Sequence, residues 1–146
     1  VLGELVRGMQ DYGVHLPGTL LKTNLVNCGK DCEPQASVGE IADANLRVLR
    51  RVLPVAIASV NYLSGGLSLD RATAILSGLN HMKRARGGDK YAPWNLSFSW
   101  SSCIQLPLFD LCTSVEKDES GLPRAAIQNL YVENLLKARA AALGGL

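Results

Sequence analysis

The chain has 146 residues, a formal net charge of +2 and 47% hydrophobic residues. That is one domain, or a piece of one, with enough apolar material for a core. The charge is too close to neutral to imply a nucleic-acid or acidic-membrane partner, no run is long and apolar enough to span a bilayer, and no secretory signal is visible.

Val1, Leu2, Leu5, Val6 and Met9 recur at helical spacing over residues 1–12, with Gly13 as the stop. A helical pattern that opens at Val1 hints that the true chain begins earlier. Val14 to Lys22 reads as a strand broken by Pro17-Gly18. Proline cannot donate to a ladder, so the regular strand is expected after it. Thr23 to Ser37 is a loop rich in Asn, Gly, Cys and Pro, and long for a strand-to-helix connection. Ser37 and Glu40 form a capping box. The helix it opens carries Ile41, Ala44, Leu49, Val52 and Leu53 on or near one face, with Arg47, Arg50 and Arg51 solvated. Pro54 ends it.

Val55 to Leu63 is nearly continuous in apolar residues, the mark of a strand covered on both faces in a parallel sheet. Ser64-Gly65-Gly66 makes the turn. Ser68 caps a helix to about Met82, with Ala72, Ile75, Leu76, Leu79 and Met82 inward. Lys83, Arg84, Arg86 and Lys90 form a basic loop, expected to be solvated or to touch another subunit. Trp94 to Trp100 is the third strand, with Leu96 and Phe98 on one face. Ser101 to Glu119 is mixed, with a short helix or turn at Leu106–Phe109 and a solvated loop from Val115 to Gly121. Pro123 suits the first position of a last helix, lined by Ile127, Leu130, Tyr131, Leu135 and Ala138 and ended by Gly144-Gly145.

One helix followed by three strand–helix units implies parallel strands with right-handed crossovers. Periodicity alone fits either a doubly wound sheet or part of a (β/α)8 barrel.

Two features bear on chemistry. Lys22 ends an apolar run; a lysine buried there loses its proton more readily, and a neutral amine is what Schiff-base chemistry requires. The bland alternative is a lysine that reaches water or pairs with a carboxylate. Ser64-Gly65-Gly66 suits an anion, because glycines let backbone N–H groups converge on it; the bland alternative is a tight turn without a ligand. Cys28 and Cys32 are spaced to form a disulfide or bind a metal. Yet His15 and His81 do not sit at metal-binding spacing, and Cys103 and Cys112 are not a second close pair, so no metal site is assigned and reduced thiols are expected.

Gly18-Thr19-Leu20-Leu21-Lys22, followed by Asn24, resembles the Schiff-base strand of class I fructose-bisphosphate aldolases. Tyr62-Leu63-Ser64-Gly65-Gly66 resembles that family's phosphate-binding turn, and Pro93-Trp94-Asn95-Leu96-Ser97-Phe98-Ser99 the strand that follows it. The blocks stand in the family's order and cover nearly the whole chain. The resemblance implies α/β architecture, with residues 1–146 forming the C-terminal three βα units of a TIM barrel and strands near 18–22, 55–63 and 95–100. It implies cleavage of fructose 1,6-bisphosphate to dihydroxyacetone phosphate and glyceraldehyde 3-phosphate, in glycolysis or gluconeogenesis. Lys22 would form the iminium, and Ser64, Gly65 and Gly66 would hold a phosphate. No cofactor or metal is expected. The implied partners are a sugar-phosphate substrate, the N-terminal part of the barrel, covalent or associated, and further copies in a homo-oligomer; the implied place is the cytoplasm or another reducing intracellular compartment.

Two departures matter. Ser101 and Ser102 stand where the family has a glycine and then a phosphate-gripping arginine, which makes them the remaining phosphate-binding candidates, and Thr23 replaces the usual proline after the lysine. The family's acid/base glutamate and its other catalytic lysines and aspartate lie on earlier strands, which this sequence does not contain. The rival expectation is therefore a non-catalytic aldolase-like subunit of a larger assembly, with a transaldolase-like lyase as a weaker third.

Overall fold

The computed structural model describes residues 1–29, 31–114 and 124–145. In chain order it has α1 (Leu2–Asp11), β1 (Leu20–Thr23), α2 (Val38–Val52), β2 (Ser59–Tyr62), α3 (Leu69–Ala85), β3 (Asn95–Phe98), α4 (Ser102–Ser114) and α5 (Arg124–Ala142). The strands form one parallel sheet in the order β1-β2-β3.

Register divides the sheet into two unlike faces. Leu21, Val60 and Leu96 are in line, as are Thr23, Tyr62 and Phe98. This face packs on the helices, with Ile41, Leu46, Leu49, Ile75, Leu76 and Leu79 beneath it in one core. The other face carries Leu20, Ser59 and Asn95 in one row and Lys22, Asn61 and Ser97 in the next. It is mostly polar, and Leu20, Lys22 and Asn95 on it are exposed. The expectation of a long second strand covered on both faces is thus corrected. Val55 is 76% exposed, because Pro54 to Ile57 closes a turn in which the Ile57 N–H donates to the Pro54 carbonyl at 3.1 Å. The apolar run is a turn followed by a four-residue strand.

The first strand starts after Pro17-Gly18, which lie in a 3-10 turn, and it extends one residue beyond Lys22. The capping box forms as read: the Ser37 N–H donates to Glu40 Oε2 at 2.8 Å, and the Glu40 N–H to Ser37 Oγ at 3.2 Å. The Ser37 hydroxyl, which donates to Glu40 Oε2 at 2.7 Å, and then the Ser37 N–H hold the Glu40 carboxyl below its ordinary range. Ser68 Oγ caps α3 by accepting from the Arg71 N–H. Ala42, Asn45 and Leu46 belong to the buried side of α2, whereas Ala44 and Val52 sit at its margin. On α5 the buried positions are Asn134, Ala138 and Ala141, while Tyr131 is exposed. Residues 102–114 form one helix with Pro107 inside it, in place of the expected short piece. Pro123 and the loop from Val115 lie outside the described residues.

Three buried asparagines join helices to their neighbours. Asn80 Nδ2 on α3 donates to the Leu96 carbonyl, and Asn134 Nδ2 on α5 to the Ile104 carbonyl, both at 3.2 Å. Asn45 on α2 does most: Nδ2 donates to the Val26 carbonyl at 2.9 Å and to the Ile41 carbonyl at 2.7 Å, while Oδ1 accepts from the Val26 N–H at 2.8 Å. The loop after β1 is thereby fixed to α2. Asn45→Ala strands buried groups on both sides, so we expect a loss of about 2–4 kcal/mol in unfolding free energy by denaturant titration.

α3 runs on to Ala85, past the expected end near Met82, so Lys83 and Arg84 lie in its last turn and not in a loop, and partners elsewhere in the chain engage Lys83, Arg84 and Arg86. Lys83 Nζ donates to the Trp94 carbonyl at 2.8 Å and pairs with Asp89 at 2.7 Å. Arg84 donates to the Leu143 and Gly144 carbonyls just past the end of α5. Arg86 pairs with Asp43 at 2.6 Å and donates to Tyr91 Oη at 3.0 Å, while the Arg50 guanidinium lies 4.1 Å from the Tyr91 ring centre.

Candidate active site

Parallel strands bring the segments that follow them to one end of the sheet. The Leu63 N–H donates to the Thr23 carbonyl at 2.9 Å and the Ser99 N–H to the Tyr62 carbonyl at 2.8 Å, so the ladders run on into these segments. Asn24–Cys28, Ser64–Leu67 and Ser99–Ser102 therefore meet beyond the strand ends.

The turn after β2 has a demanding backbone. Gly65 and Gly66 have φ of +60° and +82°, and the Leu67 N–H donates to the Ser64 carbonyl at 3.1 Å. Consecutive left-handed residues favour glycine, which carries no Cβ. At Gly65 the space is also taken: a Cβ would stand 2.5 Å from Asn24 Oδ1. That oxygen accepts from the Leu25 N–H at 3.0 Å. The turn and the loop after β1 thus fit against each other through Gly65. Between them lies a pocket of about 190 Å³, lined by Asn24, Asn27, Cys28, Ser64, Gly65 and Gly66 together with Leu25 and Leu67, none of them charged.

Ser64 is buried, and its Oγ is 3.1 Å from Ser102 Oγ at the start of α4. Ser101 caps the same helix end: its carbonyl accepts from the Ile104 and Gln105 N–H groups, and its Oγ donates to Gln105 Oε1 at 3.0 Å. Ser64 and Ser102 are therefore brought together, while the Ser101 side chain is turned to Gln105. A helix start next to a glycine turn offers several backbone N–H groups and a favourable dipole to an anion.

Lys22 is not among the residues lining this pocket. It stands on the open face of the sheet, level with Asn61 and Ser97. Its neighbour Leu21 is buried, but Lys22 is exposed, because none of the described elements covers that face. The described residues therefore do not bury the lysine as expected. Lys22 also borders a cleft of about 270 Å³ with Leu5, Met9 and Leu53, between α1 and β1.

Sequence reasoning missed three groups near the site. Cys103 is buried beside Ser64; burial pushes its thiol up, partly offset by a hydrogen bond with Ser64. Its position directly after Ser102 was the available signal. Tyr62 is buried with no partner for its hydroxyl among the described residues, and desolvation raises its phenol far above the ordinary range. Asn45 holds Val26 and so steadies the pocket wall from behind; a buried asparagine within a helix gives no local cue. Among the described residues, no group of three or more His, Cys, Asp and Glu is arranged to hold a metal ion, and no helix is long and apolar enough to cross a membrane.

The fold and site define an α/β protein whose candidate groups stand at the carboxyl ends of neighbouring parallel strands. The family model for glycolytic class-I fructose-bisphosphate aldolase matches residues 1–131, and the chain belongs to that family. It is 32% identical to fructose-bisphosphate aldolase C-B of Danio rerio over 135 residues, covering 92% of this chain and 36% of the relative. Identity to the fructose-bisphosphate aldolase of Echinococcus multilocularis is 41% over 105 residues, covering 72% of this chain and 27% of the relative. A solved structure of fructose-bisphosphate aldolase from Plasmodium falciparum, in complex with TRAP and a small-molecule inhibitor, superposes with a TM-score of 0.84 at 27% identity, covering 99% of this chain and 38% of that one. The chain thus spans about a third of the length of the curated relatives it matches.

Proposed function

We propose that this chain is the C-terminal three βα units of a (β/α)8 barrel and acts within a Schiff-base fructose-bisphosphate aldolase in the cytoplasm. The observation that carries the proposal is the pairing of Lys22, on one strand, with the Ser64-Gly65-Gly66 turn at the end of the adjacent parallel strand. Three strands cannot close a barrel. The exposed polar face around Lys22 accordingly calls for the N-terminal part, covalent or associated, which would also supply the acid/base carboxylate. Copies of the completed barrel would assemble as a homo-oligomer.

The chemistry follows from the lysine. Neutral Nζ of Lys22 attacks the ketose carbonyl carbon, and loss of water leaves an iminium. As the acid/base carboxylate of the N-terminal part takes the C4 hydroxyl proton, the C3–C4 bond breaks, glyceraldehyde 3-phosphate is released and the bonding pair passes into the iminium, which becomes an enamine. Protonation and hydrolysis then release dihydroxyacetone phosphate and restore the amine. The backbone N–H groups of the glycine turn and of the α4 start would hold a substrate phosphate, with Ser64 and Ser102 as hydroxyl donors.

The test is fructose 1,6-bisphosphate cleavage by the protein in its native assembly. Activity that rises in KM on Ser64→Ala agrees with the proposal; an assembly that is folded but inert contradicts it. One observation favours the non-catalytic reading. Ser64 and Ser102 hydroxyls pair with each other, and among the described residues no charged side chain lines the pocket. A missing charge-assisted phosphate contact costs about 1.5–3 kcal/mol.

A further inference from the structure

Cys28 and Cys32 are not used by the aldolase chemistry, yet one of them borders the candidate phosphate pocket. Cys28 is half-buried and Cys32 is exposed. Between them the Cys32 N–H donates to the Gly29 carbonyl at 3.2 Å. Both converge on a single side chain. The Cys28 thiol donates to Gln35 Oε1 at 3.1 Å, while Gln35 Nε2 donates to the Cys32 carbonyl at 2.5 Å and the Gly29 carbonyl at 3.1 Å. Cys28 Sγ also accepts from the Ala36 N–H at 3.4 Å, next to the cap of α2. Cys28 is thus a second tether beside Asn45, fastening the pocket wall to the start of α2.

We propose that Cys28 and Cys32 are a reversible dithiol–disulfide pair, and that closing the disulfide releases this tether and loosens the wall of the pocket. Its effect on substrate rests on the phosphate-site reading given above. The two cysteines lie four positions apart on one short stretch, and a single Gln35 carboxamide reaches both the Cys28 sulfur and the Cys32 carbonyl. The oxidant is a small-molecule disulfide such as oxidised glutathione. The exposed Cys32 thiol loses its proton and attacks one sulfur of the oxidant, forming a mixed disulfide and expelling one thiolate, which takes up that proton. Cys28 then loses its proton and attacks the Cys32 sulfur, expelling the second thiol. One disulfide is reduced to two thiols while two protein thiols are oxidised to one disulfide. The new bond removes the S–H donor to Gln35 and draws the sulfur away from the Ala36 N–H.

The experiment treats the protein in its native assembly with oxidised glutathione, alkylates the remaining thiols and digests with trypsin. Cleavage after Lys22, Lys30 and Arg47 separates the two cysteines, so the disulfide joins peptides 23–30 and 31–47 until a reductant parts them. Cysteines recovered alkylated or singly glutathionylated, or Cys28 joined to another cysteine, would overturn the pairing. Hydrogen exchange reads the tether: oxidation should speed exchange at Ala36 and over residues 63–67 in the wild type. It should not do so in Cys32→Ser, which keeps every Cys28 contact. A disulfide that forms with unchanged exchange overturns the coupling. Borohydride trapping of dihydroxyacetone phosphate should fall about fivefold on oxidation, the scale of one lost hydrogen bond. Failure to trap in the reduced protein counts against the Schiff-base proposal alone, since peptide mapping and exchange still decide this one.

Discussion

Lys22→Arg is expected to abolish cleavage of fructose 1,6-bisphosphate while leaving the protein folded. Arginine keeps the positive charge and the length, but its guanidinium holds its proton throughout the accessible pH range and cannot add to a carbonyl. Removing a covalent nucleophile costs on the order of 10⁴–10⁶-fold in turnover in enzymes where it has been measured that way. Lys22 is exposed among the described residues, so the packing of this chain does not depend on it, and arginine keeps its charge where the completed barrel would cover it. The variant therefore separates chemistry from folding. Steady-state turnover gives the first and a denaturant titration the second. A variant that retains turnover within tenfold of wild type, roughly 1.4 kcal/mol of barrier, would mean that another group carries the reaction.

Gly65→Ala should be the most damaging small substitution in the candidate phosphate pocket. Two penalties coincide there. The backbone is left-handed at φ +60°, which an L-residue with a Cβ disfavours by about 1–2 kcal/mol. The new methyl carbon would also meet Asn24 Oδ1 at 2.5 Å, and moving that oxygen breaks its bond with the Leu25 N–H. Together these predict a loss of about 2–4 kcal/mol of stability, together with weaker phosphate binding. Gly66→Ala is the control. It shares the left-handed backbone, at φ +82°, but its Cβ would meet no atom within 4 Å. Equal losses in the two variants would show that the fit against Asn24 is unimportant.

Local signals were the legible part of this sequence. The Ser37–Glu40 box, the Ser68 cap and the start of β1 after Pro17-Gly18 each depend on residues within a few positions of one another. The chain's family resemblance likewise rested on short blocks that keep their order. The misread elements failed for identifiable reasons. Val55 to Ala58 is apolar, but Pro54 bends the chain there, and composition does not tell an exposed turn from a strand. The pattern at Leu106–Phe109 suggests a short helix or turn, yet α4 runs through Pro107 in its interior, where proline removes a helical hydrogen bond and so hides the longer helix from the local pattern. Lys83, Arg84 and Arg86 looked solvated because their partners, Trp94, Leu143 and Asp43, are distant in sequence or are backbone carbonyls.

The candidate site divides in the same way. Ser64-Gly65-Gly66 could be read as an anion turn only together with Lys22 upstream, because two adjacent glycines after a strand serve equally well as a tight turn without a ligand. Its fit against Asn24, and the contacts of Ser64 with Ser102 and Cys103, depend on packing between three separate units and left no mark in the local pattern. Lys22 was legible as a residue but not in its surroundings, because its environment depends on what covers the open face of the sheet.

Borohydride trapping is the most direct test of the Schiff-base role. The protein in its native assembly is incubated with dihydroxyacetone phosphate, reduced with sodium borohydride and mapped by peptide mass. We predict a stable adduct on Lys22, absent without the ketone and absent in Lys22→Arg. A folded assembly that gives no adduct, or an adduct on a different lysine, alongside an aldolase control that labels normally, would contradict the role assigned to Lys22.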